Sequence, residues 1–331
     1  EKYDLNDEEL KPYFELENVK AGLLSVANKL YGITFTTLTD SPRPHPEAVA
    51  YEVKDTNGSH LAVLYMDFFP RGSKQQGAWQ SAYRTHQVLN GEEITPVVTT
   101  VFNFSRPGEG SPALLTLEEV STLYHEFGHA LDEMFHRNSY NTTYIAYDFV
   151  ELPSQLMQHW PEEPEVLKLY AKHFLNGELI PESLVKKIRN SGYFNQGFSN
   201  TEIYAASLLD MAYHTLETPV NIDIQSFEKE YFDKIGLIPE IVSRYRSTYF
   251  SHITGEYDSG YYGYTWAAVL DNDAFEAFRE KGLFDKATAE SFRKNILENN
   301  GIMDPMEMYV KFRGHEPSEE PYLRNIGFLR E

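Results

Sequence analysis

The chain contains no cysteine. That absence excludes a disulfide framework, a thiolate metal site, an iron–sulfur cluster and a cysteine nucleophile, so any metal must be held by histidine and carboxylate. A chain without thiols fits oxidising and reducing compartments alike. Basic residues are also scarce: 29 Lys and Arg stand against 50 Asp and Glu, a formal charge of -21. Neutralising a phosphate backbone or an anionic membrane surface requires clustered cations, so neither nucleic acid nor membrane is expected as a partner. No apolar run approaches the roughly 18 to 20 residues a membrane span needs. Internal repeats, low-complexity tracts and long linkers are missing too. The chain opens on Glu1-Lys2-Tyr3-Asp4, charged and without Met. It therefore reads as a processed product or a piece of something longer, with the cytoplasm as the expected compartment and the periplasm as the alternative.

What is present is enough for a large core. The 331 residues are 41% hydrophobic and 14% aromatic, and are expected to form one domain over residues 1–331 or two intimately packed lobes. Residues 6 to 31 read as one helix: Asn6 or Asp7 caps it, Leu16, Val19, Leu23, Leu24, Val26 and Leu30 recur on one face, and Gly32 ends it. The runs Ala48 to Val53, Leu61 to Phe69 and Ile94 to Phe104, separated by Gly-containing turn clusters, read as strands of a small sheet near residues 48–105. After Pro107-Gly108 helical periodicity dominates, so the expected class is mainly α with a small sheet. Sequons at Asn57, Asn103 and Asn141 are expected to be chance matches.

The strongest chemical signal is His125-Glu126-Phe127-Gly128-His129, an H-E-x-x-H. Thr116 and Glu119 form a capping-box pattern ahead of it, and Val120, Leu123, Phe127, Leu131 and Met134 mark an apolar stripe, which places the motif on a helix. Spacing i, i+4 sets both imidazoles on one face, close enough to share one zinc ion, with Glu126 offset towards a metal-bound water. A third ligand is needed. His136 is misplaced for the third histidine of a metzincin pattern, whereas Asp148 to Gln155 supplies Glu151 at the start of a second helix that Asp148 can cap and whose first turn tolerates Pro153. Spacing alone leaves Glu151 open between a metal ligand and an exposed first-turn glutamate favoured by the helix dipole. Gln155, one turn on, is expected to hydrogen-bond a ligand imidazole.

A second unusual segment, His252 to Trp266, holds Tyr257, Tyr261, Tyr262 and Tyr264 among glycines. Its rings either pack against the core or donate to the oxyanion that peptide hydrolysis develops. Glycines would let such a loop close over substrate.

Taken together, Leu10 to Leu16, Asp67-Phe68-Phe69 through Gly77-Ala78-Trp79, Ser111 to Leu115, His125 to His129, Asp148 to Gln155, Arg244-Tyr245-Arg246-Ser247 and His252 to Tyr264 match one family in one order. The chain resembles the zinc metallopeptidases of the thimet oligopeptidase and dipeptidyl carboxypeptidase family, the bacterial dipeptidyl carboxypeptidase branch most of all. The resemblance implies a zincin-like (gluzincin) fold and one zinc ion on His125, His129 and Glu151. It implies Glu126 as general base and then acid, and Tyr264 and Tyr257, assisted by His252, as donors to the tetrahedral intermediate. Short peptides are the implied substrates, losing dipeptides from the C-terminus, with an endo-acting oligopeptidase or a non-catalytic peptide-binding half as alternatives. Tyr257, Tyr261, Gly77 and Arg246 are the expected substrate-binding residues. Arg244, Arg246, Arg71 and Lys74 are the cations to consider for a terminal carboxylate, each with a surface or structural ion pair as its alternative.

Three departures stand out. The stretch between His129 and Glu151 is shorter than the family's pattern. Asp132 replaces a histidine found in many relatives, and is expected to support a ligand from behind. The chain corresponds to the C-terminal catalytic half alone, so an exposed apolar face is expected, covered by the missing N-terminal half or by a second copy.

Overall fold

The computed structural model describes residues 6–137, 145–218, 221–255 and 257–329; Asn141 and part of the shortened stretch before Glu151 lie outside them. The chain begins with one turn, α1 (Asp7–Leu10), capped by Asn6, whose side chain accepts from the Glu8 N–H. It tightens into a 3-10 turn over Lys11–Tyr13 before α2 (Leu16–Tyr31). The single helix expected over residues 6 to 31 is therefore broken, because Pro12 brings no N–H to the ladder. The backbone turns aside to pair with the segment before the H-E-x-x-H helix: Leu16 N–H donates to Ala113 O at 2.9 Å and Leu115 N–H to Phe14 O at 2.8 Å. Gly32 ends α2 as expected, in the left-handed conformation at φ 72°.

Seven strands follow: β1 (Thr34–Thr37), β2 (Val49–Lys54), β3 (His60–Asp67), β4 (Trp79–Arg84), β5 (Gln87–Leu89), β6 (Glu92–Ile94) and β7 (Val97–Val101). Five of them form a sheet in the order β1-β2-β3-β7-β4, and β5 pairs only with β6. Within the sheet β3 and β7 are parallel and the remaining pairs antiparallel. The sheet starts earlier than expected, at β1, and the run Ile94 to Phe104 divides: Ile94 closes β6, and β7 stops at Val101. Phe102 and Phe104 still donate their N–H groups to Asp67 O and Phe68 O, and their stacked rings, 4.8 Å apart, fill the core beneath.

The helices are α3 (Leu117–Phe135), α4 (Leu152–Met157), α5 (Pro164–Tyr170), α6 (Glu182–Ser191), α7 (Gln196–His214), α8 (Ile224–Ile235), α9 (Gly263–Lys281), α10 (Lys286–Phe292), α11 (Pro305–Arg313) and α12 (Glu320–Asn325). Both halves of the expected capping box close the start of α3: Glu119 N–H donates to Thr116 Oγ1 at 3.1 Å and Thr116 N–H to Glu119 Oε2 at 2.8 Å. The stripe Val120, Leu123, Phe127, Leu131 and Met134 is fully buried. Each of these side chains contributes about 1.5 to 3 kcal/mol of burial energy, far above any propensity penalty within the helix. α3 packs against β7 and β4 and against α4, which in turn packs on α9. Away from this core an open apolar groove runs between α7 and the end of α8, lined by Tyr204, Leu208, Leu237, Ile238 and Ile241.

Gly128 explains how closely α3 and α4 meet. A Cβ there would collide with Pro153 O and stand 2.6 Å from Ser154 Cα, both backbone atoms with no freedom to retreat. Helix propensity favours alanine over glycine by about 1 kcal/mol, but overpacking against fixed backbone costs about 3 kcal/mol or more. Gly128→Ala is therefore expected to lower stability by about 2 kcal/mol or more and to push α4 away from α3. Denaturant unfolding measures the first effect; a variant as stable as the parent would show that the approach is not tight.

Candidate metal centre and active site

The two histidines of α3 stand one turn apart with ring centroids 5.0 Å from each other. Facing them is Glu151, 2% exposed, at the N-cap of α4. Its Oε2 lies 3.3 Å from His125 Nε2 and 3.2 Å from His129 Nε2. Among the described residues these three are the group whose ligand atoms converge well enough to hold a metal ion, all within 4.8 Å of one another. The exposed first-turn glutamate is thus not what the fold contains. Asp148 does not cap α4 either; Glu151 takes that position, and Asp148 Oδ2 instead accepts from the Tyr262 hydroxyl at 3.2 Å.

The surroundings of these groups prepare them for a cation. Ser154 Oγ donates to Glu151 Oε2 at 2.7 Å and Tyr257 Oη to Glu151 Oε1 at 2.6 Å, so both carboxylate oxygens are held in place. Burial alone would raise the pKa of Glu151, but His129 and His125 outweigh it and hold the carboxyl well below its usual range. Burial likewise pulls His125 down, and the Glu151 carboxylate overrides it, raising that imidazole to about 9. Gln158 Oε1 accepts from His125 Nδ1 at 3.0 Å, which leaves the Nε2 lone pair facing Glu151 once the ring is neutral. Two imidazoles and a carboxylate, one imidazole already oriented through its far nitrogen, fit a tetrahedral cation that keeps a fourth position open. Glu126, also buried, has its pKa raised, mainly by burial, against the opposing charges of His125 and His129.

Gln158 is the partner that Gln155 was expected to be. Gln155 Nε2 donates instead to Tyr264 O at 3.1 Å, tying α4 to the start of α9. The signal for Gln158 was in the spacing: it follows Glu151 by two helical turns and so shares its face. Asp132 touches neither imidazole. It accepts from Asn300 Nδ2 at 2.8 Å, and burial raises its pKa to about 8.

The tyrosine segment closes over the same place. Tyr257 and Tyr264 stack at 5.2 Å, Tyr261 lies 5.1 Å from Tyr264, and the His252 ring is 5.9 Å from Tyr257 and 6.2 Å from Tyr264. Burial first, and then the Glu151 charge, push the Tyr264 phenol far above the ordinary range, so it is a proton donor at any working pH. A residue without any sequence signal holds the loop: Asp210 of α7, completely buried, accepts from Ser259 N–H and Tyr261 N–H, both at 3.0 Å, and pairs with His214 Nδ1 at 2.7 Å. Gly263 lets the loop's exit pass Tyr147, since a Cβ there would meet Tyr147 O at 2.9 Å.

His125, His252, Tyr261, Tyr264 and Arg244 line one open cleft of about 990 Å³. Gly77 and Arg246 do not line it. Gly77, at φ +85°, accepts from Asn103 Nδ2 through its carbonyl at 2.7 Å, and Arg246 Nε is bound to Glu228 at 2.6 Å. The structure therefore gathers the metal and tyrosine residues, Tyr257 through Glu151 rather than on the cleft wall, and leaves Gly77 and Arg246 outside.

A family model described as peptidase family M3 matches residues 1–328. The chain belongs to peptidase family M3. It is 40% identical to the dipeptidyl carboxypeptidase of Salmonella typhimurium (strain LT2) over 341 aligned positions, which cover 100% of this chain and 49% of that protein. Identity to the dipeptidyl carboxypeptidase of Escherichia coli (strain K12) is also 40%, over 99% of this chain and 49% of that one. It is 38% to the organellar oligopeptidase A of Arabidopsis thaliana, over 99% and 44%. The chain thus spans about half the length of these curated relatives. Among solved structures, a carboxypeptidase of Pyrococcus furiosus superposes with a TM-score of 0.55 at 15% identity, covering 96% of this chain and 59% of that one. The M32 carboxypeptidase of Deinococcus radiodurans R1 gives 0.54 at 13%, covering 96% and 59%. These two establish the shared zincin-like, mainly helical fold with its small sheet.

Two measurements test the supporting contacts of this M3 site. Gln158→Ala is expected to weaken metal affinity about 10- to 100-fold in a chelator competition while leaving the unfolding midpoint of the metal-free protein nearly unchanged. Asp210→Asn removes a charge-assisted acceptor worth about 1.5 to 3 kcal/mol, so exchange at the Ser259 and Tyr261 amides is expected to speed up by about 10-fold or more. Unchanged protection at both amides would show that the loop stands without Asp210.

Proposed function

We propose that the chain hydrolyses peptide bonds in short peptides with zinc as its single metal, and releases dipeptides from the C-terminus. The observation that carries this reading is the convergence of His125, His129 and Glu151 beside Glu126, beneath the Tyr257 and Tyr264 phenols. A zinc ion held by the three ligands would supply Lewis acidity at the scissile carbonyl and lower the pKa of water there. Glu126, its pKa raised by burial, would take the proton from attacking water and return it to the leaving amine. Tyr264, protonated throughout, offers its hydroxyl to the oxyanion, with His252 against its ring, and Tyr257 would join it only by turning its one proton away from Glu151 Oε1. No covalent enzyme intermediate is required. The whole chain acts as the catalytic half of a longer architecture, and an N-terminal half is its proposed partner.

The 40% identity to two dipeptidyl carboxypeptidases supports the exopeptidase reading. The 38% identity to an oligopeptidase A keeps an oligopeptidase, acting within the peptide, as the second reading. Product masses from a blocked decapeptide with a free C-terminus separate the two: successive losses of dipeptides support the first, internal fragments the second. Glu126→Gln is expected to cut turnover by about 10³-fold while one zinc per chain remains by elemental analysis. A variant that turned over at the parent's rate would remove Glu126 from the chemistry, and one that lost its zinc would make Glu126 a ligand.

A further inference from the structure

A peptidase that releases dipeptides must hold a free carboxylate two residues beyond the cleaved bond. Three of the four cations considered for it are committed elsewhere. Arg71 and Lys74 both pair with Asp67, at 2.6 and 2.8 Å, and the Lys74 ammonium also donates to the Phe69 and Phe102 carbonyls. Arg246 is held by Glu228.

Arg244 differs. It lines the same cleft as His125, His252 and Tyr264. Among the described residues no carboxylate pairs with it, although the chain has 50 acidic residues to offer. Its guanidinium lies 5.8 Å from the centre of the Tyr245 ring and, against burial, Tyr245 and Tyr261 are the groups that hold its pKa up. Tyr245 in turn lies 4.9 Å from Phe250 and from His252, which fixes the platform beneath the cation. The charge is felt at the active site, because after burial it is the next cause that lowers the His252 pKa.

We propose that Arg244 binds the C-terminal carboxylate of the substrate and thereby makes dipeptide release the preferred cut. The proposal deepens the peptidase reading and rests on it. The Tyr245 ring flanks the guanidinium without neutralising it, so its fork stays available for bidentate pairing with an incoming carboxylate. The rotamer entropy of the arginine is already partly spent on its ring contacts, which lowers the cost of binding.

The test uses two peptides of one sequence, one ending in a carboxylate and one in an amide, with the zinc-loaded parent, Arg244→Ala and Arg244→Lys. The parent is expected to cleave the acid at least about 30-fold better in kcat/KM. Arg244→Ala should lower the acid's kcat/KM by about that factor, chiefly through KM, and move the amide by less than about threefold; Arg244→Lys should recover part of the loss. Independently of turnover, calorimetry on zinc-loaded Glu126→Gln should show a free dipeptide binding more tightly than its amide, with the difference lost when Arg244→Ala is added. Equal losses on both peptides, or a parent that cleaves both alike, would overturn the proposal. Cleavage of neither peptide by the parent would count against the peptidase reading instead, and the dipeptide calorimetry then decides the carboxylate site alone.

Discussion

Everything at the candidate centre depends on how closely the backbone of α4 can approach α3. The two imidazoles come from one helix and need no tertiary contact to stand side by side, but their carboxylate partner arrives on a different element. It can reach them only because position 128 has no side chain, which lets Pro153 and Ser154 press against the helix surface. The same device recurs at Gly263, where the start of α9 passes Tyr147 and Asp148. Two missing Cβ atoms thus set the spacing of three segments, and with it the distance between Glu151 and the histidines.

Bringing a carboxylate into such a place is costly unless its charge is answered. Glu151 is almost completely buried in a strongly acidic chain, yet it is held ionised by His125 and His129 on one side and by the Ser154 and Tyr257 hydroxyls around its oxygens. Glu126, one residue from His125, has no comparable set of donors and is pushed towards its neutral form by burial. Two glutamates beside the same pair of histidines are therefore driven in opposite directions by their surroundings, which suits one to hold charge and the other to exchange a proton. Asp210 extends this economy of charge to the tyrosine loop, spending a buried carboxylate on two backbone N–H groups so that the rings above the centre keep their positions.

Local pattern was a good guide where local physics decides. The capping box, the apolar stripe and the i, i+4 histidines of α3 follow from helix geometry and appear as read. It was a poor guide where chain segments compete. The helix expected from residue 6 breaks at Pro12 because Phe14 and Leu16 pair with Ala113 and Leu115, almost a hundred residues away. Gln155 and Gln158 lie one turn apart and look equally suited to an imidazole, and only the packing of α4 against both α3 and α9 assigns one to each neighbour. The four candidate cations were indistinguishable as letters; their carboxylate partners, or the lack of one among the described residues at Arg244, exist only in three dimensions.

By itself, then, the sequence determined the chemistry on offer: no thiols, two imidazoles one turn apart with a glutamate between them, a second glutamate ahead of a proline-marked helix, and a tyrosine-rich entry to α9. These are properties of residue type and of short spacings, which helix geometry converts directly into neighbours. The tertiary structure alone decided which of these groups meet, which glutamate stays charged, which glutamine meets His125 and which of the four candidate cations has no carboxylate partner among the described residues. Such choices depend on burial and on contacts between segments far apart in the chain, and no local regularity encodes the free energy of bringing those segments together.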